Sequence, residues 1–170
     1  MKEQIETIPE IIRELDKKMP HFPDGRINFS DSSFGIAINV IIENEGHILI
    51  LKRSNKVAIS KEKWAVIGGH YDELKTIKEK VLEEIFEETR ISEGSIKSME
   101  LKKEYEFFDN TISRKWIIFP VLVRLFKKPE IRLDWEHTEY KWIFPDELDS
   151  FDPPESVLKI MDYFFNNSSE

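Results

Sequence analysis

GGHYDELKTIKEKVLEEIFEETRI, residues 68–91, sets a glycine pair and a polar loop ahead of a glutamate-rich segment. Within it Ile77, Val81, Leu82, Ile85 and Phe86 recur at helical spacing, which predicts a helix over 76–91. On a wheel at about 100° per residue with Ile77 at zero, Glu88 falls near ~20°, Glu84 near ~340° and Glu87 near ~280°. The three carboxylates therefore share one arc of about 100°. Glu88 lies between Ile77 and Val81, inside the stripe that must face the core, where an unpaired charge is costly. Glu84 and Glu88, and likewise Glu83 and Glu87, are also like-charge pairs four residues apart, and each pair destabilises an isolated helix by a few tenths of a kcal/mol. A divalent cation relieves both problems. Mg²⁺ binds a few carboxylates while keeping positions for water and phosphate oxygens, and Mn²⁺ accepts the same hard donors. A solvated acidic face, the alternative, would not place Glu88 among apolar residues.

Outward from this segment, β-branched runs predict strands at 34–42 and 47–52, joined by a hairpin turn over 43–46. A short strand at 64–67 runs into Gly68 and Gly69. Further strands are expected at 97–108, 115–126 and 139–144. The last helix is expected to begin at Asp152 as its cap, with Pro153 at the first helical position and Glu155 completing a capping box. Strands flanking one internal helix give an α+β fold, a sandwich with a mixed sheet between that helix and the C-terminal one. Ahead of the sheet, Ile5, Ile8, Ile12, Leu15 and Met19 alternate in steps of three and four and predict an amphipathic helix ending before Pro20. Its stripe packs on its own domain or, as the alternative, forms the seam of a homodimer. The chain thus divides into an N-terminal helix and loop, 1–33, and a main domain, 34–170.

At 170 residues the chain is long enough for one domain with a real core. It has no cysteine, which excludes a disulfide framework, a thiolate zinc site and a catalytic thiol, and suits a cytoplasmic location. No apolar run approaches the roughly 20 residues of a membrane span, so no membrane partner is expected. A formal charge of −8 argues against DNA or RNA as a partner, because polymer binding depends on many basic contacts. A small anionic ligand needs cations gathered locally.

The spacing across this segment resembles the signature of the Nudix hydrolase family: G, five residues, E, seven residues, R-E-apolar-x-E-E-x-G-apolar. Gly69 falls on its opening glycine, Glu84 on its central glutamate, Glu87 and Glu88 on the paired glutamates, and Ile91 on its closing apolar residue. Trp64 and Gly68 fit the usual lead-in. Lys75 stands where the signature has its first glutamate, Glu83 where it has arginine, Arg90 where it has the second glycine, and Ile67 where many members have proline. The resemblance implies an α/β/α sandwich of the Nudix type and hydrolysis of a diphosphate linkage in a nucleoside triphosphate or nucleoside diphosphate derivative. It also implies that Glu84, Glu87, Glu88 and the Gly68 carbonyl are metal ligands, with Glu84 or Glu136 as the base that activates water. Glu136 enters because some relatives place a ligand or base six residues before a strand tryptophan, here Trp142. In the family the arginine steadies the central glutamate; Lys80, one turn before Glu84, is the candidate replacement. A noncatalytic nucleotide-binding or scaffold module of the same fold is the alternative that Glu83 and Lys75 favour.

Arg53, at the end of the strand HILILKR, is the candidate phosphate clamp, since guanidinium grips phosphate oxygens with two N–H groups. Gly69 and His70 are placed at the substrate pocket. Phe22, Phe34, Tyr71 and Trp116 are candidates to stack on a base or, alternatively, to fill the core.

Overall fold

The structure is a computed structural model that describes residues 2–166. Residue 1 and residues 167–170, the end of the expected main domain, lie outside the described residues. Eight strands form one mixed sheet: β1 (Phe34–Asn44), β2 (His47–Arg53), β3 (Trp64–Ala65), β4 (Ile67–His70), β5 (Ile96–Leu101), β6 (Tyr105–Asp109), β7 (Arg114–Leu125) and β8 (His137–Ile143). The order is β3-β2-β1-β7-β5, with β4 paired to β1, β6 to β7 and β8 to β2. β1 and β7 run parallel, Gly35 beside Trp116 and Ala37 beside Ile118. Glu45 and Gly46 both adopt positive φ in the β1–β2 turn, as a two-residue hairpin matched to strand twist requires.

Alternation along β1 positions the site. Ile36, Ile38, Val40 and Ile42 point to one face and are buried with Val121 and Val123 against Ile77, Val81 and Ile85 of α3 (Ile77–Thr89). Gly35, Ala37, Asn39 and Ile41 belong to the other face. Ile41 joins a second core with Leu122, Val157 and Ile160, covered by α4 (Glu155–Met161). Beyond that cover, the small residues leave a cleft of about 600 Å³ whose floor includes Ala37, Asn39 and Ile118.

The observed elements differ from the sequence expectations at four places. The short strand expected at 64–67 is two, β3 on β2 and then β4, which takes in Gly68 and Gly69, on β1. The N-terminal helix is broken into α1 (Lys2–Ile5) and α2 (Glu10–Lys18), with Pro9 extended between them. Pro9 lacks an N–H and disfavours helical geometry at Ile8, so the chain restarts its helix after the proline. The apolar stripe still holds: Ile5 and Ile12 are buried, and Ile8, Leu15 and Met19 pack on the same core as the sheet. The strand expected at 97–108 is two, β5 against the end of β7 and β6 against its beginning. Asp152 does not cap the last helix. It ends the preceding 3-10 turn, Pro145–Phe151, in a left-handed conformation and its carboxylate binds Lys63, while Pro154 occupies the cap position of α4. Pro154 forces Pro153 into extended geometry, which postpones the helix. Among the described residues no helix is long and apolar enough to cross a membrane.

Candidate active site

α3 is fixed at both ends. The Thr76 hydroxyl accepts from the Glu79 N–H at 3.1 Å, and the Glu79 carboxylate accepts from the Thr76 N–H at 2.7 Å. At the other end Arg90 takes φ 62°, a left-handed geometry natural to glycine, at the position where the family signature has one. Between these ends the helix delivers Glu84 and Glu88 to the buried side and leaves Glu87 exposed at the cleft.

The Glu84 carboxylate rests on the backbone of Gly69, where any Cβ would collide with it. Lys80 Nζ meets Glu84 Oε1 at 2.8 Å and Glu83 Oε2 at 3.3 Å, with the Lys80 and Glu84 side chains both nearly enclosed. Burial raises the Glu84 pKa and Lys80 offsets only part of that; burial opposes the Lys80 ammonium too, but Glu84 and Glu83 outweigh it and hold its pKa up. Burial thus works against the charge of both partners, and each partly or wholly offsets it in the other. Lys75 Nζ in turn lies 2.9 Å from each Glu83 oxygen and also pairs with Glu73. The two positions that depart most from the signature are therefore partners.

Glu88 is 4% exposed, and its Oε2 has no hydrogen-bond partner. Burial, then the carboxylates of Glu84, Glu136 and Asp134, push its pKa well above the ordinary range, against a partial counterweight from the Gly68 N–H. His137 Nε2 stands 3.7 Å from that oxygen, and His137 Nδ1 lies 3.0 Å from Asp134 Oδ1. Glu136 lines the cleft, its carbonyl tied to the Ser54 N–H at 2.7 Å; burial and Asp134 raise its pKa while Arg53 lowers it in part. The structure thus brings Glu84, Glu87, Glu136, Gly68, Gly69 and Lys80 together along the cleft, with Glu88 buried beside Glu84, Glu136 and Gly68, and Arg53 on the wall donating Nε to the Ile59 carbonyl at 3.0 Å. His70 lines the cleft as well. Of the aromatic candidates Trp116 lines it, whereas Tyr71 is wholly buried and donates its hydroxyl to the Lys75 carbonyl.

His137 and Arg26 are among the residues that escaped the sequence reading. His137 adjoins Glu136 in sequence, but nothing in the spacing pairs it with a helix far upstream. Arg26 reaches the cleft from the loop before β1, with its Nη1 3.6 Å from the buried Asp72. Loop residues carry no periodicity by which such an approach can be read.

Among the described residues no three carboxylate or imidazole groups converge tightly enough to form a preformed metal cage. The donor set nonetheless fits a hard divalent cation. Its members are oxygens, they repel one another, and the orphaned Glu88 oxygen lacks the partner that a buried carboxylate requires.

A family model for the NUDIX domain matches residues 33–164. The nucleoside triphosphatase NudI of Klebsiella pneumoniae is 24% identical over 119 residues, which is 66% of this chain and 83% of that protein. The MutT protein of Methanosarcina mazei superposes with a TM-score of 0.66 at 24% identity, covering 81% of this chain and 96% of its own. A bifunctional NMN adenylyltransferase/ADP ribose pyrophosphatase from Francisella tularensis, complexed with AMP and a Mn ion, superposes with a TM-score of 0.63 at 20% identity over 92% of this chain and 45% of its own. With the sheet, the glutamate-bearing helix and the matched span in agreement, the chain belongs to the NUDIX domain family and is a Nudix-type hydrolase.

Proposed function

We propose that this protein hydrolyses a diphosphate linkage in a nucleoside triphosphate or a nucleoside diphosphate derivative, with Mg²⁺ as cofactor and Mn²⁺ as its substitute. Glu88 carries the reading: it is a buried carboxylate with an unpartnered oxygen, set among Glu84, Glu136 and Asp134. Such a group is costly to keep for stability alone. Glu84, Glu87, Glu88, Glu136 and the Gly68 carbonyl would hold the cation, which when bound neutralises phosphate oxygens and acidifies water.

The chain's own residues supply the rest. Lys80 holds Glu84 in one orientation against Gly69. Glu136, whose proton affinity is raised by burial and by Asp134, accepts the proton of the attacking water; Glu84 is the less available base because Oε1 is committed to Lys80. Arg53 grips phosphate oxygens from the wall. NudI is named for nucleoside triphosphates and the Francisella relative holds AMP with Mn, which supports a nucleotide-like substrate. The absence of cysteine and the acidic net charge support a cytoplasmic place of action and a small-molecule partner.

The test is product release from nucleoside triphosphates, oxidised nucleotides, ADP-ribose, nucleotide sugars and dinucleoside polyphosphates, with Mg²⁺ and then with excess chelator. Turnover that chelator abolishes supports the proposal. Full turnover in chelator rejects the metal role, and tight nucleotide binding without turnover of any substrate identifies a binding module instead.

A further inference from the structure

The half of the cleft away from the carboxylates is built from rings. Trp116 of β7 lies across Gly35 of β1, where an added Cβ would come within 2.5 Å of its indole. Phe107 of β6 is its direct cross-strand neighbour on the same face. His70 of β4 packs on Trp116 with ring centroids 5.3 Å apart and planes 31° from parallel. Arg114 steadies the indole from another side, its guanidinium carbon 5.0 Å from the ring centroid and its Nη2 bound to the Phe29 and Phe34 carbonyls at 3.0 Å each. A half-buried tryptophan seated on a glycine and braced in this way is held in one position, yet its ring pair with His70 borders the open cleft.

We propose that the His70–Trp116 pair, flanked by Phe107, is a stacking subsite for an aromatic nucleobase, with the sugar and phosphates running toward Glu84 and Arg53; this rests on the diphosphate reading above. The direction follows from β4. Gly69 touches Glu84 and the next residue, His70, touches Trp116; the two neighbours face opposite sides of the sheet, and the cleft that both line passes around β4 from the carboxylates to the rings. A nucleotide presents the same two chemistries at its ends, a flat π face and an anionic chain. The floor between them is apolar at Ala37 and Ile118, and the Asn39 amide offers a donor and an acceptor to the edge of a base.

Calorimetric binding of AMP and GMP, with ribose 5-phosphate as the base-free control, tests the subsite without turnover. Trp116→Ala should weaken AMP and GMP binding by roughly 10- to 100-fold, the usual loss for one stacked base, while ribose 5-phosphate binding is unchanged. Trp116→Phe should retain nucleotide affinity, and Phe107→Ala, at a half-exposed ring, should lose part of it. In turnover, Trp116→Ala should raise KM far more than it lowers kcat. Unchanged AMP and GMP affinity in Trp116→Ala, an equal loss for ribose 5-phosphate, or no preference of the wild type for nucleotides over ribose 5-phosphate would each overturn the proposal. Trp116-dependent nucleotide binding in a protein without diphosphate turnover would remove the hydrolytic reading and keep the subsite. Metal-dependent turnover with nucleotide affinity indifferent to Trp116 would do the reverse.

Discussion

Lys75 and Glu83 form a two-oxygen ion pair, the Lys75 ammonium lying 2.9 Å from each oxygen of the Glu83 carboxylate. The family signature has glutamate and arginine at these positions, so the two departures amount to one inverted charge pair. Glu83 continues through Lys80 to Glu84, which makes a line of alternating charges ending at the central glutamate.

Reversal of one partner alone should therefore be harmful, and reversal of both should be less harmful than the two single losses added together. Lys75→Glu gathers three acidic groups at Glu73, residue 75 and Glu83, and Glu83→Arg faces Lys75 and Lys80. Each single variant is expected to lose about 1 kcal/mol of stability and several-fold in turnover, since the pair is about a third exposed and partly screened. The double variant should recover part of each in urea denaturation and kcat, the remainder reflecting Glu73 beside residue 75 and Lys80 beside residue 83. Losses that merely add would show that the pair is uncoupled.

Lys80→Ala should lower kcat by roughly 10- to 100-fold by freeing the Glu84 carboxylate. Lys78→Ala should do little, because Lys78 pairs with Glu6 and Glu93. From sequence the Lys80–Glu84 pair is expected to be exposed and its removal nearly neutral for stability. The structure encloses both side chains, so Lys80→Ala is expected to cost about 2–4 kcal/mol as well. Lys80→Arg should rescue turnover, and equal kcat for Lys80→Ala and Lys78→Ala would mean that something else orients Glu84.

Glu88→Gln should reduce turnover at least ~100-fold while raising the melting temperature in chelator, because it removes a buried charge of nearly unchanged shape. The gain is expected to be about 1–2 kcal/mol, given the repulsion from Glu84, Glu136 and Asp134. Unchanged turnover would show that the cluster is not catalytic.

Arg90→Gly should stabilise the fold by about 1 kcal/mol, since a non-glycine residue at φ 62° is strained there. For a chain of this size the expected rise in melting temperature is about 2–4 °C. Arg90→Ala should give no such gain, and a Glycine variant that melts lower would mean that the Arg90–Phe86 contact outweighs the strain.

The sequence alone determined what local periodicity can encode. The α3 wheel gathered Glu84, Glu87 and Glu88 in one arc, with Glu88 inside the apolar stripe and Lys80 one turn from Glu84, and β-branched runs located β1, β2 and β7. Element ends were less legible, because Pro9 and the Pro153–Pro154 pair act through the geometry of their neighbours as much as through pattern. Tertiary structure decided everything that joins distant segments. His137 meets Glu88 because β8 pairs with β2, Lys75 meets Glu83 because the loop folds back on α3, and Trp116 reaches the cleft because the parallel register of β1 and β7 sets it on Gly35. Helical spacing fixes angles within one element; which elements become neighbours depends on how the whole sheet buries its apolar face, and no local pattern carries that information.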